Sequence, residues 1–180
     1  MYKLTKKEKK FLSIAFILAL FAVLSSFFLE IKLILIIYFS LILILGHIFY
    51  KEKITAELII AFLIALAWTS YYPYEYTTSN LLIEKINLFP LISWTFGLVL
   101  LREIYERMPE KFKLLRITLL YLIVLGFVEF IGYHLLGIRL NSNFPGLLGL
   151  DIIHGPLSLK IFYLTVGPIY LLITDYLKVK

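Results

Sequence analysis

The stretch LILIIYFSLILILGHIFY at residues 33–50 carries no charged side chain, and Lys51-Glu-Lys53 follows it directly. Five further runs have the same character, at residues 11–29, 58–74, 86–101, 117–138 and 161–174, with Glu129 as the one acidic or basic interruption. A helix needs roughly 20 residues to cross a hydrocarbon core about 30 Å thick. Because most of the runs approach that length, the sequence predicts an all-α, polytopic membrane bundle of six transmembrane helices.

The positive charges divide unequally between the two sets of connecting segments. If the helices alternate in direction, 14 of the 18 Lys and Arg residues fall on the side of both termini, and 4 fall on the other side, at Lys32, Lys85, Arg139 and Lys160. Cytoplasmic segments are enriched in Lys and Arg. The sequence therefore predicts a multi-pass protein of the cell (plasma) membrane with both termini in the cytoplasm. The helices are expected near 11–29, 31–50, 54–73, 87–106, 114–137 and 158–177.

Composition favours a single integral-membrane domain over residues 1–180. The chain is 61% hydrophobic with a mean hydropathy of +0.92, whereas about half of a soluble domain is apolar. Its net charge of +6 fits basic segments that attract anionic lipid, so membrane lipids are the expected partners and nucleic acid is not. Cysteine is absent, which excludes disulfides and thiolate chemistry. The absence of glutamine beside abundant Lys and Glu is typical of a thermophilic source.

Small and polar residues indicate which helices meet, because apolar periodicity is lost in lipid. The sixth helix shows such a stripe most clearly, at Lys160, Tyr163, Gly167, Tyr170 and Thr174. The third and fourth helices carry shorter stripes. We expect these three to line the interior and the first two to face lipid. Plain packing, rather than a functional surface, is the leading explanation of each stripe.

Glu129 is the first candidate for chemistry. A carboxyl in the middle of an apolar helix is expensive to insert, so it should face a partner inside the bundle. The expected partners are Tyr72, Tyr163, His154 and Arg139. General acid or base catalysis and a buried structural role are both open.

The segment at about 140–157 is too apolar for a free loop and too broken for a transmembrane helix, so we expect a re-entrant or interfacial segment. Within it, Asp151 and His154 would meet on one turn if residues 147–153 are helical. An Asp–His pair suits general base catalysis or an oxygen and nitrogen metal site. Two residues do not make a metal site, so none is predicted, and the cofactor is unknown.

The topology places the ionisable residues of the outer half together. We expect catalytic roles for Glu129, His154 and Asp151. Substrate-binding roles are expected for Arg139, Lys160, Tyr74, Glu75, His134 and Tyr163, with the two cations holding an anionic group such as a lipid phosphate. The tyrosine-rich stretch at 68–80 is either an aromatic belt at the lipid headgroups or a ligand-facing surface.

One stretch resembles a known family. YPYEYT at residues 72–77, followed by FPLISW at residues 89–94, is similar to a region of the carotenoid hydratases, in which a Tyr-x-Tyr-Thr element also precedes a Pro and a Trp at the start of the next helix. The similarity covers residues 72–94, and the rest of the chain departs from the family pattern. The resemblance implies an enzyme acting on an isoprenoid or other lipidic substrate.

Three functions therefore compete. The leading hypothesis is an intramembrane enzyme that binds a lipidic small molecule in the extracytoplasmic half. The alternatives are a structural or assembly subunit of a membrane complex, with oligomerisation open, and a small transporter whose sixth helix bends at Gly167-Pro168.

Overall fold

The computed structural model describes residues 5–177, apart from the side chains of Glu52 and Lys53. Its helices are α1 (Lys6–Ser25), α2 (Ile31–Lys51), α3 (Ile54–Tyr71), α4 (Leu88–Glu106), α5 (Lys113–Phe130) and α6 (Leu157–Tyr176). A π-helical turn, Ile131–Leu135, extends α5, and an antiparallel pair, β1 (Leu82–Ile83) and β2 (Ile86–Asn87), precedes α4. Of the described helices, all but α1 are long and apolar enough to cross a membrane. The chain is mostly helical, and its five apolar helices are consistent with a membrane protein. Both termini, predicted to be cytoplasmic, lie outside the described residues.

The first helix begins earlier than its apolar run. Thr5 and Glu8 form a capping box, in which the Glu8 N–H donates to the Thr5 hydroxyl (3.1 Å) and the Thr5 N–H donates to the Glu8 carboxylate (2.7 Å). This reciprocal cap fixes the helix start. The lysines between residues 6 and 10 therefore belong to α1, which spans Lys6–Ser25 and not the expected 11–29.

Helices α2 and α3 form a hairpin although their hydrogen-bonding pattern is nearly continuous. Tyr50, in the last turn of α2, has non-helical dihedral angles (φ −133°, ψ 34°) that bend the chain. Near this bend, the Thr55 hydroxyl lies 3.1 Å from Nδ1 of His47. At the far end, Lys32 of α2 donates to the carbonyl of Ser79, which follows α3. The two helices therefore run in opposite directions, as the charge pattern predicts.

One end of the bundle, the basic end, is closed by a buried ion cluster. Arg102 of α4 is 5% exposed, and its guanidinium lies 2.5 Å from Asp175 of α6, 3.5 Å from Glu57 of α3 and 3.3 Å from Glu106. The Tyr105 hydroxyl donates to the second oxygen of Asp175 (2.6 Å). Buried charges are tolerated when they are paired in this way. The cluster fastens α3, α4 and α6 together.

The interior is built from the three helices that were expected to form it. The buried share is 44% in α4, 39% in α6 and 28% in α3, against 17% in α2, and α1 buries only Glu8 among its residues. The extended α5 is also outward-facing, at 11%. It approaches α6 at Gly167, where an added Cβ would lie 2.9 Å from the Tyr121 ring.

The opposite end, the distal end, is covered by residues 72–87 and 136–156, which we call the distal layer. The two segments are joined by backbone hydrogen bonds from Thr77 to Arg139 (2.9 Å) and from Asn141 to Glu75 (2.8 Å). The helix over residues 147–153, on which the pairing of Asp151 with His154 was conditional, does not form. Only a 3₁₀ turn forms, at Leu147–Gly149, because the backbone takes positive φ at positions 148 (52°) and 153 (54°).

Candidate functional site

An aromatic cluster lies beneath the distal layer, centred on Tyr74. Its side chain is 3% exposed, and its hydroxyl accepts hydrogen bonds from Nε1 of Trp68 (2.8 Å) and Nε1 of Trp94 (3.3 Å). The side-chain amide of Asn87 donates a hydrogen bond to the backbone carbonyl of Tyr74 (2.9 Å). Burial raises the pKa of Tyr74 above its usual value, because the phenolate would lose its hydration. The tyrosine-rich stretch is therefore more than a belt, although Tyr71 is exposed as a belt residue would be.

Glu129 reaches this cluster from α5. Glu129 is half-buried, and it lines a cavity together with Tyr163 of α6, one of its expected partners, and with Tyr74. Three proton-carrying side chains therefore lie on the wall of one cavity.

A second group of polar side chains is centred on Asp151. One carboxylate oxygen lies 2.8 Å from Nε2 of His154, and the other lies 3.2 Å from Nε2 of His134. Asp151 and His154 do pair, but the loop brings them together without the helix on which their pairing was conditional. Tyr133 stacks on the His154 ring with a centroid distance of 3.8 Å. His154 is only 9% exposed at its side chain, and its buried Nδ1 has no hydrogen-bond partner among the described residues.

The two groups meet at a cavity of about 330 Å³ between α4 and α5, which we call the distal cavity. Its polar lining comes from the distal end of the bundle, namely from Tyr74, Tyr76, Ser93, Trp94, Glu129, Tyr133, His154 and Tyr163. Apart from Tyr121, whose hydroxyl donates to the Tyr163 carbonyl, the remaining wall is apolar, and it continues along both helices as far as Ile104 and Ile117. Ser93 resembles His154 in that its hydroxyl oxygen is buried without a hydrogen-bond partner in the described part of the chain. The cavity has the form of a site for an amphiphile, with a polar end and a long apolar wall.

Five of the predicted site residues do not line the distal cavity: Glu75, His134, Arg139, Asp151 and Lys160. Instead, Arg139 and Lys160 hold the distal layer, and His134 pairs with Asp151. Arg139 donates to the Tyr133 carbonyl (3.0 Å), with its guanidinium 4.6 Å from that ring centre. Lys160 donates to the carbonyls of Pro145 (2.8 Å) and Gly146 (3.1 Å). Glu75 is exposed at its side chain.

Sequence reasoning missed several lining residues, of which Ser93, Trp94 and Tyr133 matter most. Ser93 belongs, with Gly97 four positions later, to the short stripe of the fourth helix, which did not mark it as a site residue. Trp94 entered only through the family resemblance. The available signal was helical spacing, because Phe89, Ser93 and Gly97 fall on one face of α4 at intervals of four.

No metal centre is formed by the residues the structure describes, where no group of three or more His, Cys, Asp or Glu side chains is placed to hold an ion. The two histidine nitrogens that approach Asp151 both pair with its carboxylate. No protein-family model, curated protein or solved structure matches the chain. Only the side chains of the distal cavity therefore indicate its chemistry.

Proposed function

We propose that the protein is an intramembrane enzyme that acts by acid–base chemistry on a lipidic or isoprenoid substrate in the distal cavity. One observation carries the proposal: a single cavity presents the Glu129 carboxyl and the His154 imidazole together with a long apolar wall. From Ser93 to Ile104 that wall follows α4 for about 16 Å at 1.5 Å per residue, which suits an extended hydrocarbon chain.

The proposed reaction is a pair of proton transfers. His154 accepts one proton from the bound lipid at Nδ1, and the protonated Glu129 carboxyl returns one proton at another atom, so that the substrate is isomerised with no net gain of protons. Each residue then restores its starting state by exchanging one proton with water. Asp151 orients the His154 ring, and Tyr163 orients Glu129. In this scheme Arg139, Lys160 and His134, which were expected to bind the substrate, hold the layer over it, and Glu75 takes no part.

The proposed membrane arrangement places the distal cavity in the extracytoplasmic half of the plasma membrane. All six helices, including α1, would span, with the basic end and both termini in the cytoplasm. Support comes from the charge distribution and from the antiparallel order of the helices. The distal layer would then lie at the headgroup level, where the exposed side chains of Leu148 (92%) and Leu150 (59%) enter lipid.

Cysteine labelling tests this arrangement, since the natural chain contains no cysteine. Thr78→Cys in the distal layer should react with a membrane-impermeant maleimide in intact cells, and Glu110→Cys at the basic end should react only after permeabilisation. Both side chains are exposed. The reverse labelling pattern would overturn the orientation and place the cavity in the cytoplasmic half.

Deuterium incorporation tests the enzyme and does not require the substrate to be identified. Purified full-length protein in nanodiscs is incubated with a native lipid extract in deuterated water, and the lipids are examined by mass spectrometry. We expect at least one lipid to gain deuterium, or to be converted, faster than in protein-free nanodiscs. Glu129→Gln and His154→Phe should each lower that rate by a factor of about 100 or more, the typical size of an acid–base contribution.

Glu75→Gln is the matched control, because Glu75 lies at the same end of the bundle outside the cavity. It should retain the parent rate. An unchanged rate in both cavity variants, or an extract that the parent protein leaves untouched, would end the proposal in favour of a structural subunit.

A further inference from the structure

The side chains at the polar end of the distal cavity also restrict the headgroup of its ligand. We infer that the cavity binds an uncharged, hydroxyl-bearing long-chain lipid, and not a lipid phosphate. The inference rests on the proposed function in taking the distal cavity as the substrate site. It concerns binding, so it can be tested apart from turnover.

The charge of the lining is the first argument. Among the described residues, no Lys or Arg lines the cavity, and the ionisable groups there are a carboxyl, an imidazole and tyrosine hydroxyls. The nearest candidate cations are engaged elsewhere. Lys160 is held by backbone carbonyls, and Lys32, which lies 4.7 Å from the Tyr76 ring centre, pairs with Glu30 at 3.4 Å. A phosphate buried there without a cation would lose its hydration uncompensated. An ammonium group would lose its hydration in the same way, because the proposed reaction requires the Glu129 carboxyl in its protonated, uncharged form.

The hydrogen-bonding demand of the lining is the second argument. His154 donates through Nε2 to the Asp151 carboxylate (2.8 Å), so the neutral ring carries an unprotonated Nδ1, which can only accept. That nitrogen and the Ser93 hydroxyl are the two buried polar atoms of the cavity wall without a partner among the described residues. Buried polar groups are normally satisfied. A hydroxyl both donates and accepts, so it can satisfy either group, whereas a phosphate dianion offers no hydrogen to His154.

Binding of three probes with the same chain tests the inference: geranylgeraniol, its monophosphate and the corresponding primary amine, each incorporated into nanodiscs at a known mole fraction. The readout is intrinsic fluorescence, because the chain has two tryptophans, and both Trp68 and Trp94 bond to Tyr74 beside the cavity. We expect the alcohol to bind at least tenfold more tightly than the monophosphate or the amine. Ser93→Ala and His154→Phe should weaken alcohol binding severalfold, and His154→Phe retains an aromatic ring for Tyr133 to stack on.

Ser158→Ala is the control, since Ser158 is exposed near the start of α6 and does not line the cavity. It should bind the alcohol as the parent does. Tighter binding of the monophosphate or the amine, no fluorescence response to any probe, or an unchanged affinity in both cavity variants would each overturn the inference. Alcohol binding without deuterium incorporation into any lipid would instead remove the enzyme proposal and leave the binding site standing.

Discussion

Replacement of Tyr74 by phenylalanine tests the aromatic cluster beneath the distal layer. The substitution keeps the ring and removes the hydroxyl that accepts from Trp68 (2.8 Å) and Trp94 (3.3 Å). Each buried donor left without a partner costs about 1–3 kcal/mol, and the longer bond counts for less. Because phenylalanine also buries one polar group fewer, we expect Tyr74→Phe to lower the free energy of unfolding by about 2 kcal/mol. SDS-induced unfolding in mixed micelles, followed by tryptophan fluorescence, measures this difference.

Tyr71→Phe is the matched control for that measurement. Tyr71 is 73% exposed and lies three residues before Tyr74 in the chain, with its ring 5.6 Å from that of Trp68. It should change stability by less than about 0.5 kcal/mol, as surface substitutions usually do. Equal stabilities of Tyr74→Phe, Tyr71→Phe and the parent would show that the two indole hydrogen bonds do not hold the distal layer in place.

Three further predictions concern stability. The free energy of unfolding should fall as the pH rises above about 10, because Tyr74 ionises there in the unfolded chain but keeps a raised pKa when it is buried in the folded protein. SDS titrations at several pH values measure this fall, and Tyr74→Phe should make it shallower. Gly167→Ala should destabilise the protein by about 1–3 kcal/mol, because the added Cβ would lie 2.9 Å from an aromatic ring of α5. Gly97→Ala should not, because no atom lies within 4 Å of its added Cβ. Equal midpoints of SDS-induced unfolding for the two variants would contradict this packing. Arg102→Leu should cost about 3 kcal/mol or more by leaving the buried Glu57 carboxylate without this cation, while the exposed Arg116→Leu should cost little. Equal stability of the two variants would contradict the ion cluster.

Most helix positions were predictable because charged residues mark the ends of the apolar runs that form the helices. The expected 54–73 and 158–177 differ from Ile54–Tyr71 and Leu157–Tyr176 by no more than two residues. The miss at α1 has a local cause, since the Thr5 cap outweighs the apolar boundary. Residues 147–153 do not form an α-helix because two apolar residues there take positive φ, a backbone conformation that the hydropathy of the sequence does not indicate.

The candidate site was less predictable because its members come from segments far apart in sequence. Glu129 was identifiable, since a lone carboxyl in an apolar helix needs a partner. Arg102 was assigned to a cytoplasmic segment by its position at the end of an apolar run, yet it lies 5% exposed among carboxylates from two other helices. Ser93 carries no signal of its own, and only the assembled bundle places it on the cavity wall.

The use of polar groups differs between the two ends of the bundle, and the difference bears on the competing functions. A transporter needs polar side chains free to follow a path, but those of α6 are taken up by packing: Tyr170 donates to the Glu57 carbonyl (3.3 Å), and Thr174 donates to the Tyr170 carbonyl (3.0 Å). A purely structural subunit has no need to leave buried polar atoms unsatisfied. Ser93 and His154 are left so at the distal cavity in the described part of the chain. A buried polar group costs stability unless a ligand forms its missing hydrogen bond. The location of these two groups therefore favours a substrate site at the distal end over a transporter or a structural subunit.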